Sequence, residues 1–457
     1  MPSFLVHTLG CKVNQLESEA IIDAFLQAEF EQLIVSGDVD SPTIVIVNTC
    51  TVTSKADQKA RRIIRKVLRD YPDSCVIVTG CYAKLDKEEL LELEDNADRR
   101  LFVIDKNEIL KLPRYINQDE NPSARIKQFL LSNSRTPVLA SPLTNVFEFN
   151  PQRFSNHTRS FLKIQDGCGN KCTYCKIRLA RGQSVSLESE LVLERLRILE
   201  KDKNEAVLAG VNISQYHDNT VKNLAGLLDY LLCGTEKIAL RLPSLSPDVI
   251  DEALAKILTH KRIRAHFHLS IQSFSQKVLE KMGRSYNADT IEKACNLLRK
   301  VKDDPFLACD IITGFPGETE EEFDKTYSLC KKLDFAWIHV FPYSKRQGTP
   351  AYSFAETVQT GEKSRRVKKL AELAHNGKEN YVRRWLGRDV DVLIETSNIR
   401  GEHETRYCLG TSENYLKTLV RYDGKEAPAA GSVLRCKLTE AGSFKDNDVH
   451  ALVCRDF

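Results

Sequence analysis

The stretch FLKIQDGCGNKCTYCK, residues 161–176, joins a short apolar strand pattern to a loop with thiols at Cys168, Cys172 and Cys175. C-x3-C-x2-C spacing supplies three ligands, whereas a closed structural zinc site wants four in tetrahedral array. His157 is a candidate fourth ligand, but it lies eleven residues upstream of Cys168. Cubane iron–sulfur clusters are held by thiolates, and three thiolates can grip three irons and leave the fourth iron for an outside ligand. The spacing therefore favours a cluster over zinc. The loop follows directly on the strand pattern FLKIQ, and barrels of β/α units carry their active sites at the carboxyl ends of strands. A ligand-binding cluster in that position reads as catalytic.

Downstream, apolar strand patterns recur at 206–210, 237–242, 267–271, 307–313 and 336–341. Helical patterns lie between them, near 187–201, 224–233, 247–259, 290–301 and 320–333. With 161–165 as the first strand, this alternation predicts a partial barrel of six β/α units. Residues 361–385 then read as a basic helix with eight Lys or Arg against three Glu. From residue 389 to 457 the chain changes to short strands and turns, as in DVDVLIE and SVLRCKLT. A small five-stranded barrel of the kind used for nucleic acid is expected there.

Upstream, strand patterns at 4–7, 43–47, 75–79 and 101–104 alternate with helices, one from about residue 16 to 30 and a basic one from about Ser54. That rhythm predicts a parallel sheet with helices on its faces. Ligands of such sheets bind beyond the carboxyl ends of the strands. Cys11 in TLGCKVNQ, Cys50 in VNTCTV and Cys81 in VTGCYA each follow a strand at that position. Read singly, each is a small buried hydrophobe or a ligand; read together, they are thiols converging on one sheet edge. Cys75 sits inside its strand and reads as a packing residue. Between 117 and 156 the pattern dissolves into Ser, Pro, Asn and Arg, which reads as a linker. The expected domains are thus 1–116, 157–388 and 389–457, joined by that linker.

Composition narrows the class. Over 457 residues, apolar types make up 42% and charged types 28%, as in an ordinary globular protein. No apolar run approaches the roughly 20 residues a membrane helix needs, and the start MPSFLVHTLGCK lacks the pattern of a secretory signal. Fourteen cysteines then point to a reducing cytoplasm, with clustered thiols used for metal or catalysis. The net charge of +3 is uninformative, but residues 55–69 carry seven Lys or Arg and one acid, Asp57. A helix of that kind neutralises phosphates or is simply a solvated face.

These residues carry a resemblance. The three-cysteine loop after the first barrel strand resembles the signature of the radical S-adenosylmethionine (SAM) enzymes. The order of parts resembles their methylthiotransferase branch: a three-cysteine N-terminal domain, the radical domain, and a small terminal RNA-binding barrel called TRAM. The motifs are TLGCKVNQLESEA, VNTCTVTSKADQKARR, VTGCYA, KIQDGCGNKCTYCKI, LAGVNIS, HLSIQSFSQKVLEKMGR, DIITGFPGETEEEF, HVFPYSKRQGTPA and LGTSENYL, spread over essentially the whole chain. TLGCKVNQ with VNTC looks most like the enzymes acting on threonylcarbamoyladenosine in tRNA, next to the anticodon.

The resemblance implies two [4Fe-4S] clusters. Cys168, Cys172 and Cys175 would hold the one that binds SAM and cleaves it reductively to a 5′-deoxyadenosyl radical, which abstracts hydrogen from adenine C2. Cys11, Cys50 and Cys81 would hold an auxiliary cluster that carries the inserted sulfur, and a second SAM supplies the methyl group. Tyr174 would lie beside the adenosine or merely pack the loop. Asn212, Ser270, Gln272 and Asp310 end or line strands where cofactor contacts are expected, with structural hydrogen bonds as the alternative, and Arg181 belongs to the same candidate set. Gly314, Pro316 and Gly317 are expected to shape a turn. The implied partners are tRNA and an electron donor of flavodoxin or ferredoxin type, with the sulfur source open and no membrane. IRLARGQSVSLES keeps Arg181 and Gly182 of the branch's pattern but lacks its later arginines, and Phe274 stands where a small residue is common. The rival readings are action on isopentenyladenosine tRNA, action on a ribosomal-protein aspartate, and an iron–sulfur RNA-binding protein without turnover.

Overall fold

The computed structural model describes residues 2–34, 41–94, 100–116, 122–134, 146–151, 154, 158–400, 405–424, 426–444 and 446–454. His157 lies outside the described residues. The chain forms two compact units. The first comprises residues 1–156, 165–185 and 344–349, and the second comprises 157–164, 186–343 and 350–457.

The first unit is a five-stranded parallel sheet. Its elements run β1 (Ser3–Thr8), α1 (Lys12–Gln27), β2 (Glu31–Gln32), β3 (Ile44–Thr49), α2 (Ser54–Asp70), β4 (Cys75–Gly80), α3 (Cys81–Leu85), α4 (Lys87–Leu91), β5 (Leu101–Val103), α5 (Lys106–Ile116) and α6 (Pro122–Ser134). The strand order is β2-β1-β3-β4-β5. β3, IVIVNT, is central and buried at every position, as a parallel strand covered on both faces must be. On one face, Ala60, Ile64 and Val67 of α2 pack with Val45, Val47, Val76 and Val78, at the i, i+4, i+7 spacing of a helix stripe. The opposite side of α2 leaves Lys55, Lys59, Arg62, Arg65, Lys66 and Arg69 exposed.

Two expectations need correction here. α1 begins at Lys12, immediately after Cys11, and its first turns bury Asn14, Glu17 and Ser18. The polar residues hid a helix start that apolar periodicity placed later. The stretch read as a linker contains α6, whose Ile126, Phe129 and Leu130 are buried at helical spacing. Flanking Ser, Pro and Asn masked that short stripe.

Two short strands, β7 (Gln165–Asp166) and β8 (Val185–Ser186), bracket the 168–175 loop and a five-residue helix, α7 (Ile177–Arg181), along the chain after β6 (Ser160–Lys163). In the second unit α8 (Ser189–Glu200), β9 (Glu205–Ala209), α9 (Leu224–Gly234), β10 (Ala239–Arg241), α10 (Glu252–Leu258) and β11 (His266–Gln272) follow β6. After them come α11 (Gln276–Met282), α12 (Ala288–Lys300), β12 (Phe306–Thr313), α13 (Glu320–Lys332) and β13 (Trp337–Pro342). β6, β9 and β10 pair in parallel, as do β11, β12 and β13. Two isolated parallel bridges, Leu240 to Ile263 and Leu245 to Leu269, link the two halves, giving six strands in sequence order. α7 and α11 were not anticipated, because neither is long enough to show a period.

The 26-residue helix α14 (Thr360–Trp385) leads into β14 (Asp389–Arg400), β15 (Arg406–Ser412), β16 (Lys417–Arg421), β17 (Val433–Ala441) and β18 (Val449–Val453). These five close into a barrel in the order β14-β15-β16-β18-β17. This barrel is not a loose appendage. Phe306, Ala308 and Ala336, Tyr381 and Trp385 of α14, and Val390, Val392, Cys408 and Val420 of the barrel form one core cluster. Arg241 adds a polar tie, with Nη2 donating to the Ser412 carbonyl oxygen at 3.1 Å.

Candidate active site

Pairing in register sets the carboxyl ends of three neighbouring strands level, with Thr8 opposite Asn48 and Thr49 opposite Gly80. The residues leaving those ends include Cys11, Cys50 and Cys81. Cys11 is exposed as the N-cap of α1, whereas Cys50 and Cys81 are buried. Cys75 stands at the other, amino end of β4, away from the three. Gly10 (φ +108°) and Gly80 (φ +96°) immediately precede two of the thiols and take backbone angles that favour glycine. A Cβ on Gly80 would stand 2.3 Å from the Thr49 carbonyl oxygen, so the chain there passes closer than any side chain permits.

The three thiols influence one another. Burial pushes Cys50 up to about 12, and Cys11 and Cys81 add to the rise. Burial also raises Cys81, against the pull of the Arg181 guanidinium. Three soft sulfur donors leaving neighbouring strand ends, two of them buried, suit an iron–sulfur cluster, whose metal would displace the thiol protons. Among the described residues no three His, Cys, Asp or Glu side chains close on a single metal ion. A cubane, being a larger body, is held by thiolates set further apart.

Around these thiols lies a buried polar shell that sequence reasoning missed apart from Arg181. Asn14 Nδ2 donates to the carbonyl oxygens of Leu9 and Thr49, both at 2.9 Å, tying the Cys11 and Cys50 loops together. Arg181 Nε donates to Cys81 Sγ at 3.1 Å. Its Nη atoms reach Glu17, Asp166 and Asn14. Arg346 Nη2 donates to the Thr51 carbonyl oxygen at 2.9 Å, and Arg346 Nη1 pairs with Asp57 at 2.8 Å, fixing the chain just after Cys50. The available signal was Glu17 and Asn14 on an otherwise apolar helix face in KVNQLESEA.

In the 168–175 loop the three cysteines and Tyr174 are half-buried. The Cys168 amide donates to the Gly182 carbonyl oxygen at 3.1 Å, and the Cys175 amide to that of Cys172 at 3.2 Å. The Ile177 amide donates to Cys175 Sγ at 3.4 Å. Lys176 Nζ pairs with Asp86 at 3.1 Å, anchoring the loop within the first unit.

The remaining candidates stand in the second unit. Asn212 follows β9 and precedes the turn Ile213–Gln215, its carbonyl oxygen accepting from the Gln215 amide at 3.0 Å. Ser270 and Gln272 end β11 where its register shifts, and Gln272 has φ +71°, a strained conformation of the sort found at functional sites. Asp310 lies on β12 with His268 Nε2 at 3.2 Å from Oδ1. His268 Nδ1 is 2.6 Å from Ser244 Oγ, and the His339 ring lies 5.2 Å from that of His268. Ser244, His268 and His339 went unremarked in the sequence, although polar residues in HFHLSIQ and WIHVFP were the clue. Phe274 is buried in the core.

Comparison with known proteins bears on this arrangement. The Radical SAM superfamily profile matches residues 162–330, and that of Uncharacterized protein family UPF0004 matches residues 3–101. A protein of Treponema pallidum (strain Nichols), named threonylcarbamoyladenosine tRNA methylthiotransferase MtaB, is 36% identical over 97% of this chain and 100% of its own length. The chain belongs to the threonylcarbamoyladenosine tRNA methylthiotransferase family. The Bacillus subtilis (strain 168) protein of the same name is 33% identical over 97% of this chain and 95% of its own. The tRNA-2-methylthio-N(6)-dimethylallyladenosine synthase of Carboxydothermus hydrogenoformans is 28% identical, over 97% and 98% respectively. As a member of this family the chain is a radical SAM methylthiotransferase, an iron–sulfur enzyme that uses SAM. Its fold is shared with the cobalamin-dependent SAM radical enzyme OxsB, with a TM-score of 0.50 at 14% identity over 82% of this chain and 56% of that one. No helix among the described residues is long and apolar enough to cross a membrane.

Proposed function

We propose that this methylthiotransferase adds a methylthio group at adenine C2 of threonylcarbamoyladenosine in tRNA, next to the anticodon, using two [4Fe-4S] clusters and two SAM molecules. The observation that carries the two-site reading is the convergence of Cys11, Cys50 and Cys81 at one sheet edge, apart in sequence from the C-x3-C-x2-C loop. Cys168, Cys172 and Cys175 would hold one cluster and Cys11, Cys50 and Cys81 the other, supplying when bound reductive cleavage of SAM and a sulfur for transfer.

The chain's own residues set the conditions for that chemistry. Gly10 lets the chain before Cys11 pass directly against Cys50, and Gly80 lets the chain before Cys81 pass against the Thr49 backbone that precedes Cys50. Asn14 and Arg346 fix the Cys11 and Cys50 loops, so the donors are placed before any metal arrives. Burial of Cys50 and Cys81 keeps water from that side of the site. Tyr174, Asn212, Ser270, Gln272 and Asp310 are assigned to SAM, the last with His268 beside its carboxylate. The exposed cations of α2 begin just after the Cys50 loop and would take up tRNA phosphates, with the terminal barrel as a further RNA contact. The domains assigned are 1–116, 157–388 and 389–457, and the electron donor is a flavodoxin or ferredoxin in the cytoplasm.

Mass spectrometry of tRNA nucleosides from cells with and without the gene tests the substrate. The methylthio form of threonylcarbamoyladenosine should vanish on deletion and return with the wild-type gene. Loss of the methylthio form of isopentenyladenosine instead, or no change in either, refutes the assignment. The two sites separate by mutation. Folded Cys172→Ala should make no 5′-deoxyadenosine, whereas folded Cys50→Ala should make it and yield no methylthio product.

A further inference from the structure

Arg181 stands at the junction of the two cysteine groups. It closes α7, the helix that starts two residues after Cys175. Its Nε donates to Cys81 Sγ at 3.1 Å, while the carbonyl oxygen of the next residue, Gly182, accepts the Cys168 amide at 3.1 Å. Two consecutive residues thus hold a sulfur of one triad and the backbone of the other.

The guanidinium is fully committed. Nη1 donates to Glu17 Oε1 at 2.9 Å and to both Asp166 carboxylate oxygens at 3.1 Å. Nη2 donates to Asn14 Oδ1 at 2.8 Å and Glu17 Oε2 at 3.0 Å. Lys106 also pairs with Glu17, and it lies 4.0 Å from Asp166. Two cations therefore face two carboxylates, with Arg181, Glu17 and Asp166 buried and Lys106 half-buried. A fork held by a carboxylate on each side cannot swing, so its Nε–H stays aimed at Cys81. All five N–H groups of Arg181 are thus taken up within this network.

Resting on the reading that Cys11, Cys50 and Cys81 hold a cluster, we propose that Arg181 is a positioning residue that sets the reduction potential of that site through its N–H···S bond to Cys81. Hydrogen bonds to ligand sulfurs are one of the levers on cluster potential. A donor on the thiolate favours the state with the extra electron, so it raises the potential. Because the same residue ends α7, the potential is tied to the seating of the 168–175 loop.

The test uses full-length protein carrying Cys168→Ala, Cys172→Ala and Cys175→Ala, so that one cluster remains, reconstituted anaerobically. Dye-mediated titration followed by electron paramagnetic resonance gives its midpoint with Arg181 intact and in Arg181→Lys and Arg181→Gln backgrounds. The expected result is a shift to more negative potential, at least tenfold in the reduction equilibrium, about 59 mV for one electron. A merely structural arginine would lower iron content or thermal stability and leave the midpoint of the loaded fraction in place, which overturns the proposal. Should both variants fail to fold, the Arg181 protein labelled with 15N-arginine still decides. A 15N hyperfine coupling to the reduced cluster supports the N–H···S bond, and its absence refutes it. If the triple variant binds no iron at all, it is the cluster assignment to Cys11, Cys50 and Cys81 that fails.

Discussion

Gly10 leaves no room for a side chain beside Cys50: a Cβ there would lie 2.5 Å from Cys50 Cβ and 2.8 Å from its Sγ. At φ +108° the backbone is also one that L-residues avoid. Gly10→Ala should therefore cost about 1–3 kcal/mol and push Cys50 out of the set of thiols. The expected outcome after reconstitution is a fall from about eight irons per chain to about four. The cluster at Cys168, Cys172 and Cys175 should persist, and 5′-deoxyadenosine formation with it. Iron analysis on protein with an unchanged circular dichroism spectrum makes the measurement, and full iron loading would sink the packing argument.

Glu205 provides an acid-sensitive lock in the second unit. Burial alone would raise its carboxyl, but Arg241 and Arg264, at 2.7 and 2.8 Å, hold it down to about 2. A carboxylate depressed in the fold stabilises it fully above the unfolded value near 4.5, and the contribution is lost as pH falls toward 2. The shift corresponds to about 3 kcal/mol. Thermal unfolding followed from pH 6 down to about 3 should show a steeper loss in wild type than in Glu205→Gln. That variant should start about 3–5 kcal/mol less stable, with two arginines left unpaired. Equal slopes would remove Glu205 from the acid response.

Removal of residues 389–457 tests whether the terminal barrel is separable. Val390, Val392, Cys408 and Val420 share a core with Phe306, Tyr381 and Trp385, and His266 stacks on Tyr415 at 3.9 Å. Truncation should expose that apolar face and give aggregated protein with little SAM cleavage, rather than a clean loss of RNA binding. A monomeric truncated chain with a cooperative melt near that of wild type would show the core to be dispensable.

The parallel order of both sheets and the closed terminal barrel were legible because strand and helix periods differ and their alternation is long. Cys11, Cys50 and Cys81 could be placed at one edge because strand ends are a topological property. The polar shell was not legible. Glu17 lies 164 residues from Arg181 along the chain, and the charge balance that makes the burial of Glu17, Asp166 and Arg181 tolerable exists only once the chain has folded. Arg346 is a further case, since nothing in SKRQGT announces a partner at Asp57. α6 was lost because its buried Ile126, Phe129 and Leu130 are too few to outweigh the polar residues flanking them.

The basic helix makes the last prediction. Lys55, Lys59, Arg62, Lys66 and Arg69 recur at spacings of three and four along α2, with Arg65 beside them, all exposed on one side. Arg61 differs: it is half-buried, and its Nη1 bonds Glu89 at 2.6 Å and the Tyr82 hydroxyl at 2.5 Å. If the stripe binds tRNA, each phosphate contact releases counterions and adds about one unit to the slope of log affinity against log salt. Replacing Lys59, Arg62 and Lys66 by Ala should weaken tRNA binding and lower the slope by up to about three. Arg61→Ala should leave the slope unchanged, because that charge is already neutralised within the protein. SAM cleavage in the absence of tRNA should be unaffected by the triple change, since all three side chains are exposed on the side of α2 opposite its buried stripe. Fluorescence anisotropy with labelled tRNA over a range of salt gives the slopes. An unaltered slope in the triple variant would reduce the stripe to a solvated face.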